Sequence, residues 1–175
     1  MDYKSVLKAL FDKQPFTFLD AFLQNGIDLN HRLFRRLSEH ENPISTINID
    51  IITKWSESNP LIRYPLVASA MLPFKNNEDG EVLEWTPLAL EMINNFSNPI
   101  IILNEFKSAL RPFVWSGSRA EIMQKRLRLI SDLKTHNNPI IASWANEEEK
   151  LFTEEILHER EWELKSIRDQ NESFE

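Results

Sequence analysis

NPLIRYPLVASAMLPF, residues 59–74, aligns without gaps with NPIIILNEFKSALRPF, residues 98–113. The two copies share the opening Asn-Pro, one Ile, a Ser-Ala pair and the closing Pro-Phe. A further Asn-Pro, Asn138-Pro139, opens NPIIASWANEEEKLF and keeps only the beginning of the pattern. The three dipeptides stand 39 and 40 residues apart, and a regular period of this length is typical of repeated structural units.

Each Asn-Pro predicts the start of a helix, because Asn accepts a hydrogen bond from a free backbone N–H while Pro fixes φ where no donor is needed. A further helical stretch precedes each of these starts. The three stretches are Ile47–Ser56, Thr86–Phe96 and Arg119–His136. The second opens with Thr86-Pro87, and the third with a capping box from Ser118 to Glu121. The repeated unit is therefore predicted to be helix, turn, Asn-Pro, helix.

The composition favours an all-α fold. Only 3 Gly against 9 Pro is a poor supply for the tight turns of β-sheets. We expect one domain over residues 1–175, with less regular N-terminal helices in 1–46 and repeats in 47–175. The N-terminal helices are predicted at Tyr3–Asp12, Pro15–Asn25, ended by Gly26, and Leu29–His40. The polar segment Lys75–Glu84 is predicted to be a long loop between helices.

No apolar run approaches the ~20 residues of a membrane-spanning helix, and Met1 is followed by Asp2 rather than by a basic, then apolar, leader. Cysteine is absent, which agrees with a reducing compartment. We therefore expect a cytoplasmic protein without a membrane partner.

The repeat pattern resembles HEAT repeats from Ile47 onward. The resemblance implies stacked antiparallel helical hairpins, as a HEAT-like α-solenoid or an irregular helical bundle. The Val-Arg that usually follows the proline is replaced, for example by Leu61-Ile62 in the first copy. The stretches WSGSRAEIMQKR and HNNPIIASWA, with the acidic ending, also resemble the C-terminal ends of large bacterial defence-type proteins with helical repeats.

The acidic excess lies at the C-terminal end. The whole chain carries a net charge of -7, and the segment 145–175 holds ten Glu and one Asp against four Lys or Arg. Seven basic side chains between Lys107 and Lys134 are compatible with nucleic acid, but we expect them to pair with the glutamates of the next helix. A basic protein partner fits the overall charge better than a phosphate backbone does.

No pattern of side chains predicts catalysis or a metal site. The four histidines show no i, i+4 pair, and Glu154 with His158 supplies only two of the three or four ligands that a metal needs. We therefore expect no enzyme activity, cofactor, metal or small-molecule ligand. The candidate partner-binding residues are Trp115, Trp162, Glu154, Glu155 and Glu159, whereas Trp55, Trp85 and Trp144 are predicted to be core residues.

An acidic helical chain of this kind resembles, in role, the immunity proteins that bind and neutralise bacterial toxins. The resemblance implies a protein partner, namely a basic nuclease-type toxin domain. The alternative is a helical-repeat interaction module of a bacterial defence or regulatory NTPase assembly. The neighbouring gene discriminates the two, because it encodes a toxin in the first case and a long NTPase or effector in the second.

Overall fold

The computed structural model describes residues 13–24, 42–76 and 82–172. The predicted helices Tyr3–Asp12 and Leu29–His40, and the stop at Gly26, lie outside these ranges. The α-helices are α1 (Pro15–Leu19), α2 (Ile49–Glu57), α3 (Pro60–Ala70), α4 (Pro87–Asn95), α5 (Pro99–Ala109), α6 (Arg119–Asp132) and α7 (Pro139–Glu172). A π-helical turn, Asp20–Gln24, continues α1, and 3₁₀ turns cover Pro43–Thr46 and Leu133–Thr135.

The all-α prediction is confirmed. The described residues contain only one small sheet, in which β1 (Phe74–Asn76) pairs with β2 (Leu83–Trp85). The prediction of a loop over Lys75–Glu84 was wrong at both ends of that segment. Its turn-forming residues are flanked by short extended stretches whose backbones can pair as a hairpin.

The three prolines of the repeat occupy the predicted positions. Pro60 opens α3, Pro99 opens α5 and Pro139 opens α7. Each of these helices follows another helix after a short connection, so the helix, turn, Asn-Pro, helix unit is confirmed at all three places. The stacking of the three pairs in one solenoid stays a prediction.

The side-chain capping bonds at the helix starts vary more than the sequence motif does. The side chain of Asn138 accepts from the N–H of Ile140 at 3.0 Å, and Thr86 Oγ1 accepts from the N–H of Ala89 at 3.2 Å. Asn59, in contrast, makes no side-chain cap. The proline is therefore the more regular part of the signal.

The chain forms two compact units. Unit 1 is Met1–Lys75 with Trp85–Ala109, and unit 2 is Asn76–Glu84 with Leu110–Glu175. In unit 1, α2 packs on α3, α4 packs on α5, and α3 also packs on α5. Unit 2 is built on the hairpin of α6 and α7.

The core of unit 1 contains two of the predicted tryptophans. Trp55 and Trp85 are both buried, which confirms that part of the prediction. Trp55 Nε1 donates to Asp20 Oδ1 at 2.8 Å, and Arg63 donates to the same oxygen at 2.9 Å. The Arg63 guanidinium lies 4.4 Å from the Trp55 ring centre. This contact ties the π-helical turn to α2 and α3.

Candidate functional site

The α6–α7 hairpin of unit 2 and the loop before it hold all five residues that the sequence singled out, and α7 is the longest element there. A helix of 34 residues is about 50 Å long. One face of α7 is buried, and its side chains recur every three or four residues, at Ile141, Ala145, Glu148, Phe152 and Ile156. The facing side of α6 buries Ala120, Met123, Leu129 and Ile130. The hairpin is therefore an amphipathic pair with its own apolar seam.

Arg111 lies at the centre of an ion-pair network on this seam. Its guanidinium donates to Glu148 Oε1 at 3.0 Å and to the two Glu155 oxygens at 2.7 and 2.5 Å. Glu148 is only 3% exposed, so Arg111 is the cation that compensates this buried carboxylate. Burial opposes the charge of Arg111, but the bonds to Glu155 and Glu148 outweigh it and raise the pKa of this guanidinium.

Arg119 fixes the loop between residues 112 and 118 against α7. Its guanidinium pairs with Glu159, and its Nε donates to the carbonyl of Pro112 at 3.2 Å. The same guanidinium carbon lies 5.2 Å from the ring centre of Trp115, within the range of a cation–π contact. One side chain therefore joins both ends of the loop to the long helix.

The cap of α6 completes this arrangement. Ser118 Oγ accepts from the N–H of Glu121 at 3.1 Å, as the capping box predicts, but it also donates to Glu163 Oε2 at 2.7 Å. Glu163 Oε1 accepts from the N–H of Ala120 at 3.1 Å, so a carboxylate from α7 helps to satisfy the free donors of α6. Gly117, with φ of 78°, supplies the left-handed residue just before the cap.

Another ion pair joins the opposite end of the hairpin. Lys134 Nζ donates to Glu149 Oε2 at 2.6 Å, and Ser131 Oγ donates to Glu149 Oε1 at 2.6 Å. The hydrogen bond from Lys134, followed by the bond from Ser131, lowers the pKa of the Glu149 carboxyl. Together with the pairs of Arg111 and Arg119, this contact confirms the expected pairing with glutamates of the next helix for three of the seven basic side chains. Arg128 instead pairs with Asp132 of its own helix.

The Glu149 pair predicts a pH effect. A carboxyl whose pKa is lower in the folded state stabilises the fold above its ordinary value of 4.5, and this contribution is lost as pH falls through the folded pKa. We expect Glu149→Gln to lower the melting temperature at pH 7 and to lower it less at pH 3. A loss that persists unchanged at pH 3 would contradict the assignment, and Glu154→Gln, at an exposed position without this pairing, is the control.

Trp115 and Trp162 line one shallow groove. They are 46% and 58% exposed, and the groove encloses about 280 Å³. The other residues of its lining are Gly117, Ser118, Glu163, Ser166 and Ile167. The structure therefore brings together the two tryptophans that the sequence singled out separately, although they lie far apart along the chain.

The three predicted glutamates differ from one another. Glu155 and Glu159 are held by Arg111 and Arg119, so they support the hairpin. Glu154 is exposed, and in the described part of the chain its side chain has no ion pair or hydrogen bond, including none to His158. Trp144, predicted to be buried, is half-buried on α7.

The sequence interpretation missed the neighbours of Trp115. Phe113 is 73% exposed and Val114 is 82% exposed, so the loop presents three consecutive large apolar side chains. The available signal was the apolar run Phe-Val-Trp inside a segment predicted to be a loop. Ile167, 55% exposed at the far side of the groove, continues this surface. We call Phe113, Val114, Trp115, Trp162 and Ile167 the apolar surface.

Unit 1 contains a cavity of about 190 Å³ beside Asn42, Ile44, Met71, Thr86 and Leu88. Its lining is mostly apolar, and two polar side chains in it are bonded to the backbone. Asn42 donates to the carbonyl of Ala70 and accepts from the N–H of Ile44, while Thr86 caps α4. The apolar surface of unit 2 is thus the stronger candidate for binding.

Across residues 13–24, 42–76 and 82–172, no three His, Asp or Glu side chains converge in a way that could hold a metal ion. No helix in the same ranges is long and apolar enough to cross a membrane. No protein-family model, curated protein or solved structure matches this chain.

Proposed function

We propose that this chain is a non-enzymatic protein-binding protein that neutralises a toxin by forming a stoichiometric complex with it, as immunity proteins do. The observation that supports this proposal is the apolar surface, three of whose residues lie on a loop that Arg119 and the Ser118 cap hold in place. Exposed aromatic side chains on a fixed backbone are typical of the residues that dominate protein–protein affinity.

The energetics favour a partner at this surface. Phe113, Val114 and Trp115 are consecutive exposed residues, and fully burying one large apolar side chain is favourable by about 1.5–3 kcal/mol before the costs of association are subtracted. Because the loop is already fixed, binding costs less ordering entropy than it would for a mobile segment. The groove between Trp115 and Trp162 also offers a recess for a partner's side chain.

The remaining surface charge favours a basic partner. Glu147, Glu154 and Glu161 are exposed on α7, and no ion pair joins them to the described residues. A nuclease-type toxin needs a positive surface to hold phosphates, so its surface would complement these carboxylates. Such complementarity accelerates encounter and discriminates against wrong partners.

The test is binding between the purified chain and the basic toxin domain encoded beside it. We expect a tight 1:1 complex that abolishes the toxin's activity. Trp115→Ala and Trp162→Ala should each weaken the complex by about 2 kcal/mol, or roughly thirty-fold, mainly by faster dissociation. Both side chains are substantially exposed, so circular dichroism and the melting temperature should change little.

Phe16→Ala is the matched control, because Phe16 is a 48% exposed aromatic residue of unit 1. It should leave affinity unchanged. Equal losses for Phe16→Ala and Trp115→Ala would rule out the apolar surface as the binding site. If the neighbouring gene encodes an NTPase instead of a toxin, and the chain binds that NTPase, then the chain is an interaction module and not an immunity protein.

A further inference from the structure

The outer face of α7 carries a line of glutamates. Glu147, Glu154 and Glu161 are seven residues apart, which is close to two helical turns, and all three are exposed. They lie on the side of α7 opposite to the buried row that includes Ala145, Phe152 and Ile156. This face is therefore separate from the seam that packs on α6.

Two exposed leucines run beside these glutamates. Leu157 is 53% exposed and Leu164 is 60% exposed, and they too are seven residues apart. At about 100° per residue, the leucine row lies roughly 60° around the helix from Glu154 and Glu161. An apolar row with charges of one sign beside it, both repeated every seven residues, is a pattern by which one helix surface recognises another helix.

The two sets of glutamates on α7 have different surroundings. Glu148, Glu149, Glu155, Glu159 and Glu163 accept hydrogen bonds from α6, its cap or the segments beside it. The outer glutamates have no such partners among the described residues. Packing of the hairpin therefore explains the role of the first set of glutamates but not that of the outer glutamates.

The charges around this face favour a cationic partner at its centre. Lys150 lies toward one end of the face, and Lys165 and Arg168 lie toward the other. Between them, from residue 151 to 164, the outward charged side chains are Glu154 and Glu161, with Arg160 and His158 at the two edges. This central part of the face therefore combines exposed leucine with negative charge.

We propose that the outer face of α7 is the docking site for a basic amphipathic helix, whose apolar residues cover Leu157 and Leu164 while its Lys or Arg side chains meet Glu154 and Glu161. The inference deepens the proposed function, because it rests on that function and names the element of the partner that this second surface recognises. A helix is the fitting element, since only a matching seven-residue spacing keeps both rows in contact over two turns.

The experiment uses two synthetic helical peptides of three heptads with the same leucine row, flanked by lysine in one and by glutamate in the other. We expect the full chain to bind the lysine peptide and not the glutamate peptide in fluorescence anisotropy at low and at physiological salt. Glu154→Gln/Glu161→Gln should weaken binding about ten-fold, and Leu157→Ser/Leu164→Ser should weaken it at least as much. Both double variants should fold normally, because the four side chains are exposed.

Asp50→Asn/Glu57→Gln is the matched control, since it removes two exposed acidic charges from α2 in unit 1. It should retain binding of the lysine peptide. Equal binding of both peptides, or equal weakening by the two charge-removing variants, would overturn the docking site and show attraction by net charge alone. Because no toxin is present, these outcomes leave the Trp115 and Trp162 test of the proposed function independent.

Discussion

Replacing Arg111 by methionine is expected to destabilise the fold by about 3 kcal/mol, because it leaves the Glu148 carboxylate buried without its cation. Glu148 is 3% exposed, so without Arg111 its carboxylate must either stay buried without a cation or draw water into the seam, and each costs free energy. Methionine retains much of the contact with Phe152, above whose ring Arg111 lies at 4.9 Å. The loss should therefore report the charge rather than the packing. Urea unfolding of the full chain measures it.

Two companion variants separate the components of this network. Glu155→Gln should cost less than about 1 kcal/mol, since Glu155 is 44% exposed and its charge remains hydrated. Arg111→Met/Glu148→Met should recover most of the stability, because removing both buried charges leaves neither unpaired. A double variant as unstable as Arg111→Met alone would contradict the explanation and assign the loss to packing.

The helices of the repeat could be predicted from sequence because their starts depend on local chemistry. Proline fixes φ in the first turn whatever surrounds it, so Pro60, Pro99 and Pro139 all open helices. The same dipeptide at Asn42-Pro43 opens only a 3₁₀ turn of four residues, although Asn42 accepts from the N–H of Ile44 as a cap should. The dipeptide starts a turn, and the residues after it decide whether a helix continues.

That the basic and acidic helices pair could be predicted from the sequence, but which residues form the pairs could not. Neighbouring helices of opposite charge are expected to pair, yet α7 presents glutamates all round its axis. Only the register of the hairpin places Glu155 and Glu159 beside Arg111 and Arg119 while Glu154 faces away. One residue of separation turns a side chain by about 100° on a helix, so the role of each glutamate depends on the tertiary packing.

The groove could not be predicted because its two tryptophans come from distant parts of the chain. Trp115 lies in the loop before α6 and Trp162 lies in the second half of α7, and they meet through the antiparallel course of the hairpin. The solvent exposure of the two tryptophans was the other property that the sequence did not reveal. An apolar residue in a loop is as compatible with plugging a gap as with facing water.

The last prediction compares the two phenylalanines that close the aligned copies of the repeat. Phe74→Ala is expected to cost about 3–5 kcal/mol, because Phe74 is 5% exposed and its removal leaves a cavity in unit 1. Phe113→Ala should cost less than about 0.5 kcal/mol, since Phe113 is 73% exposed. Denaturant unfolding of both variants measures the difference. Similar losses for the two variants would contradict the structure, because they would mean that the two copies are equivalent at this position.

The two phenylalanines differ because the chain takes a different course after each copy. After Phe74 it continues as β1, whose pairing with β2 fixes an extended backbone and directs this ring inward. After Phe113 it continues through Val114 and Trp115 to the cap at Ser118, and no strand forms. Phe113→Ala should instead weaken the complex with the toxin partner by about ten-fold, whereas Phe74→Ala, assayed where it remains folded, should not. The same residue in the same motif is thus expected to stabilise the fold in one copy and to contribute to binding in the other.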